Sequence, residues 1–252
     1  MQQLISLIDQ QTVYAFLLLL GRILAFMAFM PIVGHKTVNP TIRIAISFYL
    51  TIFIFPLVDH TKVFVTDDSF LLALISELTL GLVASFLVQI IFSAVQIVGD
   101  LVGYATGLSM ANMFDPTTGT QQGIISRFLY MVILVIYLET GMYEITLYVL
   151  ANSFGQISLG AFDLFSYNGI LYAATEINRM FAFAFSFAFP LFFVGFLMDI
   201  YYGYGTKSMP SFSPFIITFQ IKFALIFIFM MLGLNIFVES FSDYFIGKFY
   251  IN

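Results

Sequence analysis

An all-α, polytopic membrane protein is the fold class the sequence predicts, and three observations predict it. Of 252 residues, 61% are hydrophobic and 9% are charged; the mean hydropathy is +1.00. Soluble domains run at about 45–50% apolar and about 25% charged. A soluble fold of this length cannot cover that much apolar surface with polar groups. The second observation is that the apolar residues gather in stretches close to or above the roughly 20 residues that a helix needs to cross a bilayer. The third is the charge: 9 Lys+Arg against 14 Asp+Glu give a net charge of -5. No basic face for a phosphate backbone can be built from this, so nucleic acid is excluded as a partner. With Cys at 0, disulfides, iron–sulfur clusters, thiolate zinc sites and cysteine nucleophiles are excluded too.

Each element follows in order. Met1–Thr12 holds Asp9 and no Lys or Arg, so it lacks the positive start of a cleavable signal, and the apolar run after it is expected to be a retained helix. Val13–Val33 is the first spanning stretch, with Gly21-Arg22 inside it. The polar link Gly34–Pro40 leads to Ile42–Val58, the second stretch, and Asp59–Ser69 is a loop. Phe70–Val98 is the third and is longer than one crossing needs. Ile124–Leu150 is the fourth, Ala151–Tyr167 reads as a loop or interfacial segment, and Ile170–Ile200 and Phe212–Val238 complete the chain. Phe181, Phe183, Phe185, Phe187 and Phe189 alternate with small residues, a period that suits a strand; an open strand edge is not tolerated in lipid, so this run is assigned to a helix. If every stretch crosses once, Lys36, Arg43 and Lys207 fall on one side and Lys62, Arg179 and Lys248 on or near the other. That balance sets no orientation by the excess of basic residues.

One segment departs from a simple span. Gly99, Gly103 and Gly107 stand four residues apart and Ala111 extends the row. On a helix this makes one smooth face for close packing, and such a row needs a packing reason because glycine is costly in a helix interior. Pro116 pushes Asp115 out of the helical region, and Thr117–Gly123 is a polar, glycine-containing tract. Two readings stand side by side: a re-entrant or pore-lining loop, and a solvent loop between two spanning helices. Charges inside or beside apolar runs are the other signal: Arg22, Glu77, Asp100, Arg127, Glu139, Glu144, Glu176, Arg179, Asp199 and Lys222. Facing lipid each is expensive, so each is expected against a partner group, a cavity or a subunit interface. A proton or ion path and structural pairing both satisfy that requirement. His35 and His60 stand apart in links, and no H-E-x-x-H or G-x-S-x-G pattern occurs, so neither a metal site nor an enzyme activity is expected, and no cofactor.

Taken together, these residues resemble the flagellar biosynthetic FliR family, the flagellar branch of the type III secretion export-gate R/T subunits. The opening pattern is Gly21-Arg22, Pro31, Gly34, Lys36, Pro40 and Arg43. The central pattern is Gly99-Asp100-Leu101-Val102-Gly103, then Gly107-Leu108-Ser109 and Phe114-Asp115-Pro116, similar to the family's G-E-x-x-G, G-L-S-F-A and D-P run, with Asp100 for Glu and Met110 for Phe. Ser126–Leu129 and Ser153-Phe154 match as well, and Lys207–Phe215 is similar to the last motif with Lys for Arg, Ser211 for Gln and an extra Pro214.

The resemblance covers essentially the whole chain and implies a single membrane-type unit over 1–252. It implies a FliP-like first part over 1–165, with a central plug loop at 110–123, and a FliQ-like helical hairpin over 170–252. It implies assembly with FliP and FliQ in a hetero-oligomeric export gate, FlhB at the entrance, unfolded flagellar proteins as cargo, and lipid. The place implied is the bacterial inner membrane at the flagellar basal body, partly on the periplasmic side. Met110, Asn112, Met113, Phe114, Asp115 and Pro116 are implied to plug the closed pore, and Gly99, Gly103, Gly107 and Ala111 to pack helices closely. Arg22, Glu77, Asp100, Arg127 and Lys207 are expected as buried or intersubunit charges. Alternatives are an injectisome export-gate subunit, a pure assembly scaffold, and an ion-coupled small-solute transporter using Glu77, Asp100 and Glu139.

Overall fold

The computed structural model describes residues 10–34, 38–58, 67–108, 123–162, 169–208 and 214–249. Among them, regular structure is helical throughout: α1 Gln10–Phe29, α2 Pro40–Ile54 followed by a 3-10 turn Phe55–Leu57, α3 Asp67–Thr106, α4 Ile124–Glu139, α5 Met142–Gln156, α6 Gly169–Ser208 and α7 Pro214–Phe249. Five of these are long and apolar enough to cross a membrane, and α4 with α5 passes the same test as a broken pair. The all-α, polytopic membrane class is the one the composition predicted.

The chain divides into two compact units. One comprises Met1–Ile90 and Tyr143–Glu176; the other comprises Ile91–Met142 and Ile177–Asn252. In the first, α2 starts where local chemistry dictates. Pro40 takes the first helical position, where its missing N–H costs nothing, and the Asn39 side chain accepts the Thr41 N–H at 3.0 Å. Arg43 ties α2 to the preceding link and to the end of α1 by donating to the carbonyls of Val33 and Ala28 at 3.0 and 3.3 Å. Helices α1 and α3 cross so closely at Gly81 that a Cβ there would meet the Arg22 carbonyl and come within 2.9 Å of the Ala25 Cβ.

In the second unit, Phe92 is fully buried and sits at the centre of an aromatic core, edge-on to Tyr130, Tyr137 and Phe241 at 5.8, 5.3 and 5.8 Å. Edge-to-face pairs of this kind add about 0.5–1.5 kcal/mol each beyond their burial. The Phe181–Phe189 run is helical, as assigned. Phe183 and Phe187 turn toward α7, with Ala184 and Ala188 fully buried between them, while Phe181, Phe185 and Phe189 remain exposed.

Several boundaries differ from expectation. The fourth stretch is two helices, not one, because the chain turns at Thr140-Gly141, where Gly141 takes φ +72°. Residues 151–156, expected as loop or interfacial segment, complete α5, where the Ser153 hydroxyl donates to the Leu150 carbonyl at 2.6 Å and accepts from Arg22 Nη1 at 3.2 Å. The third stretch continues past Val98 to Thr106, and the last two run to Ser208 and Phe249.

Candidate functional site

In the first unit the sequence places two charges in apolar helices, Arg22 on α1 and Glu77 on α3, and the fold joins them. Both side chains are 0% exposed. Arg22 Nε donates to Glu77 Oε2 at 2.5 Å and Nη2 to Oε1 at 3.0 Å, a two-pronged pairing that only a guanidinium makes. The remaining donors reach the end of α5: Nη1 to Ser153 Oγ and Nη2 to the Ile157 carbonyl, both 3.2 Å. The guanidinium lies 4.5 Å from the Phe154 ring centre. Glu77 Oε1 also accepts the Gly160 N–H at 2.8 Å, at a turn where Gly160 takes φ +77°, a conformation that glycine adopts without a steric cost. Three helices and a turn are thus tied by one buried ion pair, each of whose side-chain N and O atoms is hydrogen-bonded.

In the second unit the site is a helix crossing. A Cβ on Gly99 would meet the Ser126 Cα and come within 2.6 Å of its N. Ser126 Oγ seals the crossing by donating to the Gln96 carbonyl at 3.1 Å. The small row is shorter than its spacing suggested. Gly103 is buried on α3, but the helix ends at Thr106 and Gly107 turns out of it with φ +79°, its N–H bonding the Tyr104 carbonyl at 3.1 Å. Gly107 is therefore a helix terminator of the left-handed kind, a role open to glycine, and it faces the Phe219 ring.

The other sequence-derived positions fall as follows. Asp100 is half-buried on α3, and Arg127 on α4 and Lys207 on α6 are exposed. Met110, Ala111, Asn112, Met113, Phe114, Asp115 and Pro116 lie outside the described residues. Local spacing gives no sign of the groups that complete the pair: Ser153 and the Ile157 carbonyl, more than 130 residues from Arg22, and the Gly160 N–H on Glu77. The sequence also flagged Asp199 and Lys222 without pairing them. Lys222 Nζ donates to both Asp199 oxygens at 2.7 Å across the α6–α7 hairpin. The signal for that pair was available in the sequence, since the two charges stand at similar distances from the 209–213 segment between their helices.

Chemically, these sites hold helices together. Both Glu77 oxygens are engaged, by Arg22 and by the Gly160 N–H. Among the described residues, no group of three or more His, Cys, Asp or Glu could hold a metal ion.

Fold and sites together define an integral membrane protein of long apolar helices pinned by two ion pairs, Arg22–Glu77 and Asp199–Lys222, and by glycine crossings. Residues 13–247 match the model of the bacterial export proteins, family 1, and the chain belongs to that family. Flagellar biosynthetic protein FliR of Bacillus subtilis is 30% identical over 224 residues, 88% of this chain and 86% of that protein. FliR of Escherichia coli is 24% identical over 200 residues, 79% and 76% of the two chains. Surface presentation of antigens protein SpaR of Shigella flexneri is 23% identical over 252 residues, 96% of each.

Proposed function

We propose that this chain is a subunit of the flagellar type III protein export gate and helps to form and seal the channel through which unfolded flagellar proteins leave the cell. The observation that carries this reading is apolar helix surface in excess of what a bilayer covers. Over 171–207 and 219–249, α6 and α7 run for 37 and 31 residues, each carries an 18-residue apolar window, and only 22% and 17% of those windows are buried within the chain. At 1.5 Å per residue these are roughly 55 and 46 Å, against a hydrocarbon layer of about 30 Å. In this reading other apolar proteins cover what neither lipid nor the chain itself buries. FliP and FliQ, with FlhB at the entrance, are the partners the family resemblance implies, in the inner membrane at the flagellar basal body and partly on its periplasmic side. In this reading 1–165 is the FliP-like part and 170–252 the FliQ-like hairpin.

The seal belongs to the 110–123 segment. Met110, Met113 and Phe114 are apolar enough to exclude water from a narrow passage, and methionine side chains yield to many sequences. Deleting Asn112–Thr120 is expected to leave the complex assembled and to make the membrane leak ions, read as conductance in reconstituted bilayers. Unchanged conductance in an assembled complex removes the plug role. The injectisome reading keeps one specific support, the SpaR match over nearly the whole of both chains. Loss of swimming on deletion of the gene, with flagellar subunits retained in the cytoplasm, decides for the flagellar machine.

A further inference from the structure

We propose that α6 contains a joint at Pro190, held between two rigid clamps, and that the apolar cavity beside it is the space in which the joint moves. All of its parts lie in the second unit. Pro190 sits in the interior of α6. It has no N–H to give the Ser186 carbonyl, and its ring crowds that carbonyl, so the helix is weakest there. The Ser186 hydroxyl donates to the Phe183 carbonyl at 2.8 Å and so does nothing to brace the gap.

On the N-terminal side of the joint, α6 is clamped to α7 by aromatic rings. Phe183 stacks on Tyr244 with centres 4.9 Å apart and planes 14° apart, and Phe187 meets Phe237 edge-on at 5.1 Å. On the C-terminal side it is clamped again. A Cβ on Gly195 would lie 3.1 Å from the Ala105 carbonyl oxygen and 3.2 Å from Ile226 Cδ1, and the Asp199–Lys222 pair ties the hairpin four residues further on.

Between the clamps packing fails. A cavity of about 390 Å³ opens there, bordered by Pro190, Leu191 and Val194 of α6, Met230 and Gly233 of α7, and Val98 of α3. Protein interiors are otherwise packed like organic crystals, and this space, partly open to the surface and lined by apolar groups apart from Ser186, offers water little to bond. Gly233 contributes no side chain toward it, and a Cβ there would meet nothing within 4 Å. A weak point in a helix, fixed on both sides and facing this space, permits the two halves of α6 to change their angle with both clamps intact when α7, which both clamps grip, bends with it, and Gly233 is the residue of α7 that borders the same space.

The chain has no cysteine, so spin labels can be placed without background. Ala182→Cys and Tyr201→Cys put labels on exposed positions on either side of the joint, about 28 Å apart along the helix. Distance distributions are measured on the full chain expressed alone and labelled in detergent. Pro190→Ala restores the broken hydrogen bond and is expected to narrow the distribution roughly twofold. Gly233→Leu fills the cavity from the opposite helix and is expected to narrow it in the same way. A parent distribution as narrow as that of Pro190→Ala overturns the joint. Narrowing by Pro190→Ala but not by Gly233→Leu overturns the cavity as its working space. If Pro190→Ala does not purify, Gly233→Leu decides alone, and an unchanged width overturns the proposal.

Discussion

Removing the charge of Glu77 leaves the Arg22 guanidinium fully buried with its main partner gone. Breaking a buried pair by one side costs about 3–5 kcal/mol, because the surviving charge is uncompensated. Replacing both members with apolar groups of similar size is often near neutral. Here the exchange is less favourable, since Gly160 N–H and the Ile157 carbonyl also lose their partners, at about 1–3 kcal/mol each if left buried and unbonded. Three variants therefore order themselves. Glu77→Gln and Arg22→Met each lower the melting temperature of the detergent-solubilised protein strongly. The Arg22→Met/Glu77→Met double variant falls by clearly less than the sum of the singles. Strictly additive losses would sink the idea that these two residues act as one unit. Their individual suspicion was legible in the chain, because a charge in an apolar helix announces a partner. The partner's identity was not, for nothing in local spacing links α1 to a turn near residue 160.

At the scale of elements, the crossing of α3 and α4 turns on the absence of a single side chain. Gly99→Ala drives a methyl group into the Ser126 backbone, which cannot rotate away, so the two helices must separate and the Ser126–Gln96 bond must stretch. Overpacking of this kind costs typically 1–3 kcal/mol. Gly155→Ala on α5 serves as the contrast, for a Cβ there meets nothing within 4 Å. It is expected to be neutral or to stabilise by up to about 1 kcal/mol, through the better helix propensity of alanine. Thermal melts of the two variants should diverge in sign; equal effects would remove the crossing as the cause. The helices themselves were legible because apolar runs near 20 residues or longer leave few options in a bilayer. Their ends were not. The break at Gly141 and the stop at Gly107 depend on positive φ angles, and an isolated glycine in an apolar run is equally compatible with close packing. Gly99 and Gly107 share the same row of the sequence, yet one packs a crossing and the other ends the helix.

For the whole molecule the governing quantity is the apolar surface left uncovered. On α6 the residues Phe181, Phe185, Phe189, Phe193, Leu197 and Tyr201 follow one another four apart and all are exposed, with Tyr201 at 75%. Monomeric soluble proteins rarely present contiguous apolar patches beyond a few hundred Å², and lipid covers only about 30 Å of any helix. With Tyr204 the exposed row extends about 35 Å, and α7 adds a second face with Phe229, Leu232 and Ile236. If other subunits complete the cover, single cysteines at Phe181, Phe189, Tyr201 and Tyr204 should react with a membrane-impermeant maleimide in a position-dependent way. With the chain expressed alone, the positions beyond the bilayer are expected to label. With FliP and FliQ co-expressed, Phe181→Cys through Tyr204→Cys should all be protected, and the protein's half-life in the membrane should lengthen. Identical labelling with and without those partners would mean that lipid alone covers the row. The excess of apolar length would then have to be absorbed by helix tilt, and the case for a multi-subunit gate would lose its physical support.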